Sequence, residues 1–199
     1  SDTVEVVGLD EAYVDLSGSP VPQSRAREIK ARIKDATRLV CSIGLAPNKL
    51  VAKIASELDK PDGLTVVTDK DVAPRLWPLS VCRLNGVGPK SAAKLARLGI
   101  ATIGELAQAE RGWLAQHFGA SYASWLVDAA FGRDDRPIVT ASEPKSISRE
   151  TTFDHDLHAV RDRTQLSRIF TDLVEHVAGD LRRKRYAGRT IGVKLRFDD

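Results

Sequence analysis

The chain has 199 residues, 42% of them hydrophobic and 29% charged, with a formal net charge of +3. Those proportions describe a globular protein of one or two domains and exclude disordered, fibrous and membrane classes, since no apolar run approaches the roughly 20 residues of a bilayer span. Two cysteines, Cys41 and Cys82, exclude a disulfide framework or cysteine zinc site and fit a cytoplasmic setting, while +3 is too small to imply nucleic-acid binding alone.

Residues 1–16 are strand-rich and interrupted by the acidic pair Asp10-Glu11. Neighbouring residues on a regular strand point to opposite faces, so these carboxylates share a site only at a bend, which Gly8 permits. Converging there they would suit Mg²⁺, which prefers oxygen ligands; the plainer reading is a charged hairpin tip. Asp15 reads as an exposed charge at a strand end. Ala26, Ile29, Ile33 and Ala36 recur at helical spacing over Arg25–Arg38, and Thr37–Gly44 then reads as a buried strand. A second helix spans Asn48–Leu58, with Leu50, Val51, Ile54, Ala55 and Leu58 on one face. Lys60-Pro61-Asp62-Gly63 has turn chemistry, and Leu64–Thr68 is a further strand. Strands alternating with helices at this scale predict a small α/β layer arrangement. Lys60, just past a helix, is either a phosphate-reaching point charge or a surface lysine.

From residue 69 to 132 the strand signal disappears and short helices take over. Leu84-Asn85-Gly86-Val87-Gly88-Pro89-Lys90 leads into a helix closed by Gly99-Ile100, and Thr102-Ile103-Gly104-Glu105 reads as a capping box opening the next. Two glycines one residue apart let backbone N–H groups approach an anion at a helix N-terminus, where the dipole also favours negative charge. Lys90 adds a cation on the first turn. This is a helix-hairpin-helix pattern, which would grip DNA phosphates through Gly86, Val87, Gly88 and Lys90 without reading bases; the plainer reading is a tight αα turn with glycine for its geometry. Trp77, Trp113 and Trp125 read as core anchors, and the four histidines show no zinc or nucleophile-base arrangement.

The polar, twice proline-broken stretch Arg133–Lys145 reads as a boundary. Beyond it Lys145–Phe153 is strand-like, and a long helix begins near Thr164 with Leu166, Ile169, Phe170, Leu173, Val174, Val177 and Leu181 on one stripe. Ile191, Val193, Leu195 and Phe197 alternate as a last strand. Unpaired, that strand would invite association with another chain. Arg182, Arg183, Lys184, Arg185, Arg189, Lys194 and Arg196 come with no acid among them, as a solvated helix end or a phosphate-tracking surface.

Taken together, several strings in order carry a resemblance. They are Gly8-Leu9-Asp10-Glu11-Ala12-Tyr13-Val14-Asp15-Leu16, Ala52-Lys53-Ile54-Ala55-Ser56 with Lys60-Pro61-Asp62-Gly63, Asn85-Gly86-Val87-Gly88, Lys145-Ser146-Ile147-Ser148-Arg149-Glu150, and Gly192-Val193-Lys194-Leu195-Arg196-Phe197. Over nearly the whole chain the sequence resembles the Y-family translesion DNA polymerases, in their bacterial DNA polymerase IV branch. The resemblance implies an α+β multidomain fold. Residues 1–68 would be part of an α/β palm and 69–135 an all-α thumb with the helix-hairpin-helix. Residues 136–145 would be a linker, and 146–199 a β-α-β portion of a little finger. It implies that Asp10 and Glu11 serve catalysis and bind metal, with two Mg²⁺ ions in the intact enzyme. Lys60 would bind the triphosphate of a deoxynucleoside triphosphate, and Ser146, Ser148 and Arg149 would follow template phosphates. Primer-template DNA is the implied partner, and a sliding clamp would be reached through regions outside this chain. The family's first motif, with its further metal-binding aspartate, is not found here, so the chain is expected to be a fragment inactive alone. Two alternatives remain at this level, a non-catalytic DNA-binding module and a nuclease.

Overall fold

The computed structural model describes residues 3–141 and 143–196. The chain divides into two compact units, one through Thr140 and one from Ala141 onward.

The first unit opens with a hairpin, β1 (Val4–Val6) antiparallel to β2 (Ala12–Val14), with Glu5 opposite Tyr13. Two donors, the N–H groups of Val7 and Gly8, converge on the Glu11 carbonyl at 2.9 and 3.2 Å and close the tip. Helix α1 runs Pro22–Thr37, three residues earlier than the apolar spacing predicts, because Pro22 occupies the first turn, where its missing N–H costs nothing. Of its apolar stripe only Ala26 is fully buried, and Ile33 is 37% exposed.

The strand expected over Thr37–Gly44 is displaced. Arg38 adopts a left-handed conformation (φ 63°) and caps α1 through its N–H to the Lys34 carbonyl. The chain therefore becomes strand only at β3 (Ile43–Leu45), parallel to β4 (Leu64–Val66), which is shorter than Leu64–Thr68. Between them α2 (Lys49–Leu58) forms the crossover that parallel strands require. Asn48 caps it by accepting from the Val51 N–H at 3.0 Å. A Cβ on Gly44 would lie 2.0 Å from the Ala52 carbonyl oxygen, so glycine there lets the helix lie directly on the strand. Leu50, Val51, Ile54 and Ala55 are buried, as their spacing predicts. Each of the larger three contributes about 1.5–3 kcal/mol by leaving water.

After β4 come a 3-10 turn (Asp69–Asp71), a π-type turn (Val72–Leu76) and a second 3-10 turn (Val81–Arg83). Helices α3 (Pro89–Arg97), α4 (Ile103–Gln108), α5 (Arg111–Phe118) and α6 (Ala120–Ala130) follow. One core joins them to α2: Leu76, Leu84, Leu95, Ile103, Leu106, Leu114 and Leu126 are all within 1% of full burial and cluster with Leu50, Val51 and Ile54. Trp77, Trp113 and Trp125 pack against that cluster as anchors.

The segment expected as a linker is strapped to the first unit where it begins. Asn48 donates to the Gly132 carbonyl at 2.7 Å, and the Asp134 carboxylate accepts from the Leu50 N–H at 3.0 Å. Lys49 donates to the Pro137 carbonyl, and the Val139 N–H to Glu5, both at 2.8 Å.

In the second unit the long helix forms as α7 (Arg163–Lys184), with Leu166, Ile169, Leu173, Val177 and Leu181 half-buried and Phe170 and Val174 about half exposed. The β-α-β pattern does not form among the described residues. Neither 145–153 nor 191–196 is a strand, and Ile191, Val193 and Leu195 are 95%, 63% and 69% exposed. A strand needs backbone pairing, and neither segment finds a partner among the described residues. The edge-strand route to self-association loses its basis with it; Phe197 lies outside the described residues. No helix among the described residues is long and apolar enough to cross a membrane.

Candidate functional site

The acidic pair sits at the bend the sequence requires of it. Gly8, Leu9 and Asp10 form the bend between the strands, and Glu11 follows directly. Asp10 is exposed, with its Oδ1 3.9 Å from where a Cβ on Gly8 would stand, so the carboxylate lies over the glycine. Glu11 is half-buried and pairs with Lys53 of α2 at 3.1 Å. Hard oxygen donors of this kind suit a divalent cation such as Mg²⁺. The described residues contain no group of three or more potential ligands, so the fit is that of a partial site, with two carboxylates from adjacent residues.

The hairpin is fastened to α2 at a second point. Lys49 reaches Glu5 at 2.8 Å, and its ammonium stands 5.6 Å from the centre of the Tyr13 ring. Lys49 holds the Glu5 carboxyl below its usual range, assisted by the Val139 N–H. Burial pushes the Tyr13 hydroxyl up, and the Glu11 charge adds to the shift.

Lys60 lies just beyond α2, half exposed, and pairs with Glu57 at 2.6 Å. Glu57 Oε1 also takes Lys53 at 3.3 Å. Lys60 holds the Glu57 carboxyl below its usual range. Burial pulls the Lys53 ammonium down, but its hydrogen bonds to Glu11 and Glu57 outweigh that and leave it above the usual lysine value. The turn after Lys60 is set by Asp62, at φ 61°, whose carbonyl and carboxylate both accept from Lys30. The structure thus brings Glu11 and Lys60 to the two ends of one ion-pair chain. The spacing of Lys53, Glu57 and Lys60 (i, i+4, i+7) is the sequence signal for that chain.

The Gly86–Gly88 turn leads into α3 and a capping box opens α4, as the pattern predicts, while a 3-10 turn (Val81–Arg83) stands before the turn. Val87 is buried and its N–H closes the turn onto the Leu84 carbonyl at 2.9 Å. Gly88 caps α3 with no side-chain hydrogen bond, and nothing lies within 4 Å of where its Cβ would stand. The first-turn N–H groups of Lys90 and Ser91 have no acceptor within the helix, and Lys90 is exposed. Thr102 and Glu105 form the capping box of α4: Thr102 accepts from the Glu105 N–H at 3.1 Å and Glu105 from the Thr102 N–H at 2.8 Å. Gly86 (φ 127°) has a role that sequence spacing does not reveal. A Cβ there would lie 2.5 Å from the Trp125 ring, and its carbonyl accepts from the Tyr122 hydroxyl at 2.8 Å. Tyr122 stacks on Trp125 at 5.3 Å between ring centres.

In the second unit Ser146 and Ser148 are exposed on a segment without regular secondary structure. Arg149 is turned onto α7, where its Nε reaches Asp180 Oδ2 at 2.9 Å and its Nη2 the same oxygen at 2.5 Å. Arg183 takes the other oxygen of Asp180. Asp180 is 6% exposed, and Arg149 holds its carboxyl below the usual range. The pattern of α7 carries a signal for this: Asp180 falls on the apolar stripe itself, three residues after Val177 and seven after Leu173, where a carboxylate is buried only with a partner.

Two family models match the chain, that of the impB/mucB/samB family over residues 1–57 and that of the impB/mucB/samB family C-terminal domain over residues 144–199. Curated relatives include a DNA polymerase IV of Alkalilimnicola ehrlichii, 38% identical over 98% of this chain and 55% of its own length, and one of Streptomyces coelicolor, 39% identical over the whole chain and 42% of its own length. The chain therefore spans about half the length of the curated relatives it matches. Among solved structures, a Y-family DNA polymerase chimera aligns with a TM-score of 0.65 and 29% identity over 72% of this chain and 43% of its own. The insertion ternary complex of Dbh DNA polymerase aligns at 0.63 and 29% identity over 69% of this chain and 42% of its own.

Proposed function

Since the chain belongs to the impB/mucB/samB family of Y-family DNA polymerases, we propose that it carries part of the machinery for template-directed DNA synthesis across damaged templates, in a soluble cytoplasmic enzyme. Residues 1–68 act as part of a palm, 69–135 as a thumb, and 146–199 as part of a little finger behind the 136–145 linker. The observation that carries the reading is the ion-pair chain that ties the Asp10-Glu11 tip to Lys60 through Lys53 and Glu57. Two carboxylates at one end and a half-exposed lysine at the other suit a deoxynucleoside triphosphate lying along α2.

In this reading the primer 3′-hydroxyl loses its proton to solvent and its oxygen attacks the α-phosphorus of the nucleotide, a new P–O bond forms, and the bond to the bridging oxygen breaks to release pyrophosphate. Asp10 and Glu11 would hold Mg²⁺, which when bound stabilises the attacking and leaving oxygens. Lys60 gathers the triphosphate as a point charge. Gly86, Val87, Gly88 and Lys90 hold a DNA backbone phosphate on the first turn of α3, with Ser146 and Ser148 along the template; Arg149, whose Nε and Nη2 are taken by Asp180, would join them through the rest of its guanidinium. Such contacts position DNA without reading its bases.

Primer extension by the full-length polypeptide that carries this sequence, with Mg²⁺ and all four deoxynucleotides, tests it. Asp10→Ala is expected to abolish extension while DNA affinity stays within about twofold, because affinity resides in phosphate contacts elsewhere. Undiminished extension by Asp10→Ala overturns the assignment. The 199-residue chain alone is expected not to extend a primer, since two carboxylates hold two Mg²⁺ ions poorly.

A further inference from the structure

The polar side of α2 carries Lys49, Lys53 and Glu57 at four-residue spacing, with Lys60 three residues on, opposite the buried stripe of Leu50, Val51, Ile54 and Ala55. Residues so spaced stand one above another on a helix. Lys49 holds the middle of the hairpin through Glu5, and Lys53 holds its tip through Glu11. The tip has no other side-chain tether among the described residues. It rises from a two-stranded sheet, which is marginally stable by itself, and Leu9 at its apex is fully exposed. Below it, Glu57 Oε1 accepts from both Lys53 and Lys60.

Resting on the polymerase reading, we propose that Lys53 and Glu57 are positioning residues for nucleotidyl transfer: Lys53 fixes Glu11 relative to α2, and Glu57 keeps the Lys60 ammonium in register for the incoming triphosphate. Isolated exposed ion pairs contribute little. These differ in sharing partners and in bridging the hairpin tip, α2 and the turn beyond it, with charges alternating from Glu11 to Lys60. Lys53 acts on the metal-binding end and Glu57 on the nucleotide end, so the two separate in kinetics.

The test is steady-state nucleotide incorporation by the full-length polypeptide, with circular dichroism melts to normalise for folded protein. Lys53→Ala is expected to lower kcat by about 10- to 100-fold with KM for the nucleotide little changed, the size of loss that a misplacement of about 1 Å brings. Lys53→Arg is expected to recover most of it. Lys53→Gln, which keeps the stem, should show the same loss if the alanine variant melts early. Glu57→Gln is expected to raise KM about threefold and spare kcat. A kcat within twofold of wild type for folded Lys53→Ala and Lys53→Gln, or a Glu57→Gln effect confined to kcat, overturns the positioning roles. If Asp10→Ala in the same assay leaves incorporation intact, the polymerase reading itself is what fails.

Discussion

Gly86 and Gly88 flank one buried valine, yet the structure predicts that alanine at each fails for a different reason. At Gly86 the backbone is in the region L side chains avoid, φ 127°, and an added Cβ would stand 2.5 Å from one Trp125 ring carbon and 2.7 Å from another. Carbon atoms meet comfortably at about 3.5 Å, so the overlap is about 1 Å. The ring stacks on Tyr122 and packs against the core, so moving it aside gives up those contacts. Overpacking of this kind costs about 1–3 kcal/mol, and the unfavourable backbone about 1–2 kcal/mol more. Gly86→Ala is therefore expected to lose roughly 2–5 kcal/mol of stability by those two sources together. Gly88 has φ −77° and open space where its Cβ would be. Alanine there costs at most about 1 kcal/mol, as a poorer N-cap, but in the proposed reading its methyl group would obstruct the DNA phosphate. Urea unfolding and DNA titration of both variants should show Gly86→Ala failing in the first and Gly88→Ala in the second. A Trp125→Leu background should return much of the Gly86→Ala loss, since contacting residues are not additive. Equal stability of the two variants, or no relief from Trp125→Leu, refutes the packing argument.

Thr102→Ala removes the hydroxyl that accepts from the Glu105 N–H, and is expected to cost about 1 kcal/mol and to lower the urea midpoint at unchanged m-value. The Asp180 carboxyl is held below its unfolded value by Arg149, so its contribution is present above the ordinary carboxylate range and is lost as pH falls through the depressed folded value. Thermal melts should show stability declining on acidification, and Asp180→Asn should flatten that limb; identical profiles would refute the assignment. Lys49→Met keeps most of the stem but loses the hydrogen bonds to Glu5 and Pro137, and is expected to speed amide hydrogen exchange in Val4–Val6 and Ala12–Val14 more than in α2. Uniform protection across both would show that the hairpin needs no such tether.

Much of the first unit was legible because its signals are local. Asn48 before an apolar stripe and the Thr102-x-x-Glu105 box each act within four residues, and each forms as its chemistry demands. What was not legible depends on partners distant in sequence. Trp125 decides what Gly86 must be, 39 positions away by residue number. Lys30 sets the turn at Asp62 across 32 positions, and Asp134 joins the N-terminus of α2 across 84. The strand predicted over Thr37–Gly44 moved because Arg38 takes a left-handed cap, a conformation its composition does not announce. In the second unit, the alternation of Ile191, Val193 and Leu195 describes a strand that pairing would create, and the described residues supply no ladder for it.

The contact between Gly86 and Trp125 gives the hairpin a built-in optical reporter. The indole ring lies against the backbone of the same short turn whose next residues begin α3, and its emission depends on that contact and on the stacked Tyr122. In the proposed reading, a phosphate that draws the Gly86–Gly88 backbone off the ring is expected to change the emission of that indole. Occupancy of the turn could then be followed in the unlabelled protein as a change above the background of Trp77 and Trp113, which pack elsewhere against the core.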